Sequence, residues 1–211
     1  MFSKHRLEAL SDGVFAIVMT LLILDIKVPT GVEPGNLGAA LRADSHQWIS
    51  YAVTFAISAV FWNLQRRVFE LVSDVTDVNI FLTFLFLAFV TILPFSTSLW
   101  GHHLNERLAF VLYFANQFVI GVLLAAKLEI ACAKGHVQPG RDFVYMRFRL
   151  YTLCLVMASA GLAAFTLPLQ YTGIAPITLA VVARAIRRKK FPKESIGGEA
   201  AQTELEEESL P

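Results

Sequence analysis

Six stretches of mainly apolar residues constrain the possible folds of this chain more than any other feature. A helix that crosses about 30 Å of hydrocarbon needs about 20 such residues at about 1.5 Å per residue. The candidate spans cover residues 7–26, 48–64, 78–99, 108–131, 150–167 and 170–186. The last span is the weakest because it contains Gly173 and Pro176. The pattern predicts an all-α, polytopic membrane protein with six transmembrane helices.

Composition supports this prediction and argues against several other classes of protein. Only 17% of the residues are charged, compared with about 25% in a soluble domain. A net charge of +1 is too small for a nucleic-acid partner, and two cysteines do not make a disulfide framework. The sequence shows no nucleophile and base pair, no phosphate-binding glycine loop and no metal motif. We therefore expect no enzyme activity, no metal site and no cofactor.

The distribution of basic residues predicts the orientation in the membrane. Of the 18 Lys and Arg residues, only Lys27, Arg42 and Arg107 fall on the side opposite the N-terminus when six spans are drawn. By the positive-inside rule both termini are cytoplasmic, which requires an even number of spans. Residues 1–190 are predicted to form the transmembrane domain. The acidic segment 191–211 is predicted to be a disordered cytoplasmic tail, because its low hydrophobicity cannot offset the entropy of ordering.

The first span carries the densest set of polar residues, which are costly inside a membrane and therefore point to function. On a helical wheel at about 100° per residue, one stripe contains Arg6, Ile17, Thr20, Leu21 and Leu24. Ser11 and Asp12 fall on the other side of the helix. The stripe could line a pore or pack against other helices. Asp12 could be an ion or proton site, or a hydrogen-bonded strut between helices of its own subunit.

The same helix contains a short signature, in which Arg6 is followed five residues later by Ser11 and Asp12, with Leu10 before the serine. It resembles the signature of the transmembrane protein 175 potassium channels, where a Phe normally stands at the position of Leu10. The resemblance implies a potassium-permeable channel of the prokaryotic six-helix type, located in the plasma (inner) membrane. It also implies a homotetramer in which the first helices line the pore. The implied partners are further copies of the chain, membrane lipid and permeant K+.

The resemblance assigns roles within the stripe as well. Ile17 is implied as the main constriction, with Leu21 and Leu24 as further rings. Thr20 is implied as a contact for K+ that contributes to selectivity over Na+, and Arg6 could anchor the helix by pairing with Asp12 of a neighbouring helix. No Thr-Val-Gly-Tyr-Gly segment occurs in the sequence, so a filter of backbone carbonyls is not expected. The implied mechanism is hydrophobic gating, in which a narrow apolar ring excludes water until it widens.

A weaker likeness lies at the end of the second span. Relatives often close this helix with Trp, two His and Phe. Here Trp62 and Phe69 match, whereas Gln65 and Arg66 stand at the histidine positions. We therefore do not carry any histidine-based pH sensing over to this chain.

Two other functions stay open at this level. A secondary transporter would have broken helices with ion sites near the midplane, for which Pro94, Gly161 and Pro176 give slight support. A scaffold without transport is the other possibility, although the polar first helix argues against it.

Other charged groups have ordinary interpretations. His102, His103 and Glu106 have a spacing that could hold zinc, but a solvated loop is the favoured interpretation because no fourth ligand is apparent in the sequence. Lys127 is expected to extend its amine to the cytoplasmic surface from the end of the fourth span. The basic run 184–190 is expected to anchor the topology, and it could attract anionic lipid at about 1 kcal/mol per charge.

Overall fold

The computed structural model describes residues 3–43, 45–74, 76–166 and 174–190, and the regular structure in these residues is helical. In order, the elements are α1 Lys4–Leu21, a 3₁₀ turn Leu22–Asp25, α2 Leu37–Ala43, α3 Ser45–Leu71, α4 Asp77–Thr91, α5 Leu93–His102, α6 Arg107–Ala133, α7 Arg141–Thr166 and α8 Ile174–Lys190. The tail predicted for 191–211 and the predicted start of the sixth span at residue 170 lie outside the described residues.

Four segments of the described chain are long and apolar enough to cross a membrane: Lys4–Asp25, Asp77–His102, Arg107–Ala133 and Arg141–Thr166. They correspond to the first, third, fourth and fifth predicted spans. The second predicted span lies in α3, which has 27 residues, and the sixth lies in α8, which has 17. Neither meets the same criterion of length and hydropathy, so a six-span topology stays a prediction.

The third predicted span is two helices instead of one. α4 ends at Thr91 and α5 begins at Leu93, with Ile92 between them. Pro94 occupies the first turn of α5, where its missing N–H is tolerated because that donor has no partner within the helix. The same proline could not continue the hydrogen-bond ladder of α4. The break therefore has a local cause in the sequence.

The helix α7 begins nine residues before the predicted span at 150. Its buried face starts with Phe143, Met146 and Leu150, which recur at helical spacing. Arg147 and Arg149 fall between these positions and lower the local hydropathy. A search for apolar runs therefore missed the first part of this helix.

The helix α6 lies at the centre of the bundle, in contact with α3, α4, α5 and α7. Lipid tails are as apolar as leucine, so close packing and small residues hold membrane helices together more than burial does. Gly121 of α6 is one such residue, because a Cβ at this position would lie 3.1 Å from Sγ of Cys154 in α7. This close approach limits how far apart α6 and α7 can lie.

Candidate functional site

The first helix is held to the bundle by one face. Its buried residues recur every three or four positions, as expected for one side of an α-helix: Leu7, Ser11, Phe15, Val18 and Leu22. Phe15 packs against Phe86 of α4 with 6.0 Å between the ring centroids. Lys4 Nζ donates a hydrogen bond of 2.8 Å to the carbonyl of Val72, just after α3. These contacts fix the rotation of α1 and so decide which residues face outward.

The opposite face of α1 is uncovered by the described part of the chain. Ile17 is 60% exposed, Leu21 42% and Leu24 72%, and Thr20 is exposed beside them. Towards the N-terminal end of α1 the same side carries the small residues Ala9, Gly13 and Ala16, together with Arg6. The side chains that the wheel placed on one stripe therefore share a face. Their roles as constriction and selectivity residues stay predictions.

Thr20 presents its hydroxyl on this exposed face. Its Oγ1 donates a hydrogen bond of 2.8 Å to the carbonyl of Ile17. A hydroxyl has one donor and two acceptor lone pairs. Because the proton is donated to the helix, the acceptor lone pairs of the oxygen stay available on the uncovered side.

The C-terminal end of the first span departs from α-helical geometry. Leu22–Asp25 form a 3₁₀ turn, in which residues three apart lie one above the other. Leu24 therefore lies over Leu21, about 60° from its position on the α-helical wheel. The sequence wheel assumed one pitch throughout and could not anticipate this alignment.

The aspartate of the signature is hydrogen-bonded by α3. Trp62 Nε1 of α3 donates a hydrogen bond of 2.8 Å to Oδ1 of Asp12. Ser11 is 1% exposed and donates to the carbonyl of Leu7 at 2.9 Å. One contact between α1 and α3 thus brings together two elements of the sequence resemblance, the Ser-Asp pair and Trp62.

Gln65 and Arg66, which stand at the two positions where histidines were expected, make different polar contacts. Gln65 is buried, and its Oε1 accepts a hydrogen bond of 3.1 Å from Lys127 Nζ of α6. The same ammonium lies 4.3 Å from the centroid of the Phe69 ring. Arg66 points outward and pairs with Glu70 at 3.3 Å.

The prediction that Lys127 extends its amine to the cytoplasmic surface is wrong. Its side chain is 3% exposed and lies among α3, α4 and α6. The carbonyl oxygen of Gln65 and the negative face of the Phe69 ring attract the amine inward. Sequence reasoning missed this contact because its partners lie about 60 residues away, although a glutamine and an aromatic at helical spacing offered a weak signal.

We expect Lys127→Met to leave the thermal unfolding temperature unchanged or to raise it. A buried cation loses its hydration, and the described residues around it supply an amide and a ring in place of a carboxylate. Methionine fills a similar volume without that cost. Thermal unfolding in detergent measures the effect, with Lys134→Met at the exposed end of α6 as control. A fall of more than about 5 °C, equivalent to roughly 1–2 kcal/mol in a chain of this size, would contradict this account of Lys127.

A buried hydroxyl cluster between α3, α5 and α6 was also missed. The Thr54 hydroxyl lies 2.8 Å from the Tyr113 hydroxyl and 3.1 Å from that of Thr97. Each of these residues is at most 3% exposed. Side-chain hydrogen bonds of this kind connect helices where lipid offers no partner, so the cluster holds α3, α5 and α6 together.

The histidine-rich loop is separate from this site. The Nδ1 atom of His102 lies 2.8 Å from the carbonyl oxygen of Ser98, one turn earlier in α5. Within the described ranges, no three His, Cys, Asp or Glu side chains come close enough together to hold a metal ion. The geometry gives the zinc hypothesis no support.

Comparison with known proteins places the signature in context. Residues 6–94 match the model of the family described as endosomal/lysosomal potassium channel TMEM175. A protein named as a potassium channel from Streptomyces collinus is 42% identical over 106 residues, which cover 50% of this chain and 52% of that protein. Another so named, from a Chryseobacterium species, is 30% identical over 170 residues, covering 76% of this chain and 82% of that protein.

A solved structure gives the same result at the level of the fold. The crystal structure described as a lysosomal potassium-selective channel TMEM175 homolog from Chamaesiphon minutus superimposes with a TM-score of 0.73 at 26% identity. The match covers 85% of this chain and 97% of that one. The chain spans between half and three fifths of the length of the first curated relatives that it matches, 52% and 59%. On the matched signature, the extended alignment and the shared fold, this integral membrane protein belongs to the TMEM175 family.

Proposed function

We propose that the chain is the subunit of a potassium-permeable cation channel. The observation that carries this proposal is the uncovered face of α1, which presents three aliphatic side chains and one hydroxyl in line. Family membership and the names of the relatives as potassium channels support it. One copy of a helix cannot enclose a pathway, so the proposed channel is a homotetramer with four copies of α1 around the axis.

In the proposed pore, Ile17 forms the narrowest ring and Leu21 and Leu24 form further rings. Such a ring holds water poorly when narrow, and ions cross only when it widens enough to wet. All six spans, including those in α3 and α8, cross the membrane in this arrangement. Both termini then lie in the cytoplasm of a prokaryote, and K+ is the permeant ion with no cofactor required.

We infer that Asp12 serves as a strut in this channel. Its carboxylate accepts the Trp62 indole hydrogen bond at 2.8 Å, which holds α1 against α3. Inside a bilayer a carboxylate needs such a donor because lipid supplies none. The bond places Asp12 on the side of α1 away from Ile17 and Thr20.

Planar bilayers containing the purified full-length chain, with K+ on one side and Na+ on the other, test the proposed function. We expect unitary currents whose reversal potential lies closer to the equilibrium potential of K+ than to that of Na+. Silence across voltage and pH, with insertion and tetrameric mass verified, would overturn the channel proposal. A saturable flux of ions without unitary steps would favour a transporter, for which the break at Ile92 would then become the relevant feature.

We expect Thr20→Ala to reduce the preference for K+ over Na+. The substitution removes one hydroxyl from each of the four subunits, and a net loss of about 1 kcal/mol in the preference for K+ corresponds to about a fivefold fall in the permeability ratio. Reversal potentials under the same gradient measure the ratio. Thr20→Ser retains the hydroxyl and serves as the matched control, so equal ratios in the alanine and serine variants would remove Thr20 from the selectivity argument.

A further inference from the structure

A small cavity lies at the C-terminal end of the first span, where the 3₁₀ turn meets α3 and α5. Its volume is about 10 Å³, which is close to the space that one water molecule occupies. The polar side chains that line it come from all three elements: Asp25 from the turn, Gln47 and Ser50 from α3, and Thr97 and His102 from α5. Ser50 and Thr97 are at most 4% exposed. The inner wall of the cavity therefore belongs to the buried part of the bundle.

The buried polar groups of this cavity offer lone pairs. Ser50 Oγ donates a hydrogen bond of 2.9 Å to the carbonyl of Gln47, and Thr97 Oγ1 donates one of 2.7 Å to the carbonyl of Leu93. Each hydroxyl has one proton, so both oxygens are left as acceptors. Oε1 of Gln47 is also buried, and no described residue donates a hydrogen bond to it. A set of acceptors without matching donors is typical of a cation site.

Asp25 adds a negative charge to these acceptors. It is half-buried, and within the described ranges its carboxylate forms no ion pair or side-chain hydrogen bond. No Lys or Arg is among the residues that line the cavity. The Nδ1 atom of His102 lies 2.8 Å from the carbonyl oxygen of Ser98 and donates to it. In the neutral ring Nε2 is then a further acceptor.

A glycine keeps the Ser50 hydroxyl accessible. Gly101 of α5 lines the same cavity, and a Cβ at this position would lie 2.7 Å from Oγ of Ser50. Any larger residue would press on the hydroxyl or push α5 away from α3. The close approach of the two helices therefore leaves a space of one ion or one water molecule, with Ser50 at its wall.

We propose that this cavity binds one alkali cation in each subunit, at a site separate from the pore. Carboxylate, amide and hydroxyl oxygens replace the hydration shell of the ion, as carbonyl oxygens do in filters of other potassium channels. K+ is about as large as a water molecule, so it fits a cavity of this volume. A water molecule donates only two hydrogen bonds and would leave the charge of Asp25 without a counter-ion. An alkali ion also needs no cluster of His, Cys, Asp and Glu, because neutral oxygens are suitable ligands.

The bound ion would connect the 3₁₀ turn to α3 and α5. Its binding requires neither a pore nor conduction, so its test does not depend on the channel proposal. Anomalous diffraction from crystals of the full-length chain, grown with Rb+ in place of K+, locates the ion directly. We expect one Rb+ peak per protomer in the cavity, in contact with Asp25 and with Oε1 of Gln47. Crystals in which the cavity holds water and gives no Rb+ signal would overturn the proposal.

Thermal unfolding in detergent measures the same binding in solution. Choline is too large for the cavity, so replacing choline chloride by KCl should stabilise the protein. At about 30 times the dissociation constant, K+ should raise the unfolding temperature by about 4–8 °C in a chain of this size. Most of this increase should be lost in Asp25→Asn, which keeps the size of the side chain. It should also be lost in Gln47→Leu, which removes the buried acceptor.

Glu33→Gln is the matched control for charge. It removes an exposed carboxylate between the 3₁₀ turn and α2, outside the cavity, and should retain the full increase. An equal loss in Glu33→Gln would show that K+ acts through general surface charge, and would overturn the proposal. An unchanged increase in both cavity variants would overturn it as well, because the stabilising ion would then bind elsewhere.

Discussion

Replacing Ile17 by asparagine is expected to raise the single-channel conductance about tenfold. This increase corresponds to a free-energy barrier to permeation that is lower by about 1.4 kcal/mol. The side chain is 60% exposed on the uncovered face of α1 and forms the narrowest ring of the proposed pore. Asparagine has as many side-chain heavy atoms as isoleucine but is smaller and offers an amide to water, so the ring both widens and wets more readily. Single-channel recording in planar bilayers measures the change directly.

The control for this prediction is Ile49→Asn in α3. Ile49 is also 60% exposed, so the same chemical change is made at an equally accessible position away from the stripe. Its conductance should match that of the unmodified channel. If Ile17→Asn gives unchanged unitary currents, or if Ile49→Asn gives the same increase, Ile17 does not form the constriction.

Breaking the contact between Asp12 and Trp62 should destabilise the protein without changing the current through each open channel. A hydrogen bond to a charged group contributes about 1.5–3 kcal/mol, which corresponds to roughly 3–12 °C in thermal unfolding for a chain of about this size. We expect this loss for Asp12→Ala and for Trp62→Phe. In Asp12→Asn the side-chain oxygen can still accept the indole N–H, so a smaller loss is expected.

A double-mutant cycle separates the strut from an ion site. If the two residues act through their mutual bond, Asp12→Ala/Trp62→Phe should be about as unstable as either single variant. An ion or proton site would behave differently, because Asp12→Asn would then alter conductance or reversal potential while Trp62→Phe would not. That second pattern would contradict the interpretation of Asp12 as a structural strut.

The arrangement of the first helix could be predicted from its sequence because the relevant contacts are local. A wheel needs only the spacing of residues, and α1 is a regular helix up to Leu21. Ile17, Thr20 and Leu21 therefore share the face that the pattern gave them. Leu24 shows the limit of the method, since the change to 3₁₀ pitch at Leu22 is not visible in residue type.

Contacts between distant segments could not be predicted in the same way. Trp62 and Asp12 are 50 residues apart, and the partner of Lys127 is 62 residues away. Hydropathy treats a lysine near a helix end as a surface group, whereas the rotation and packing of α6 turn this one inward.

The 3₁₀ turn at the end of the first span has a consequence for the electrical behaviour of the proposed channel. It rises about 2.0 Å per residue where an α-helix rises about 1.5 Å, so Leu24 lies about 6 Å beyond Leu21. With four residues of α-helix from Ile17 to Leu21, the aliphatic column is about 12 Å long. In the proposed pore these rings form a mainly aliphatic column, in which the Thr20 hydroxyl is the polar exception. An ion then crosses one long, mainly apolar segment, and the closed pore opposes ion leakage along the whole length of this column.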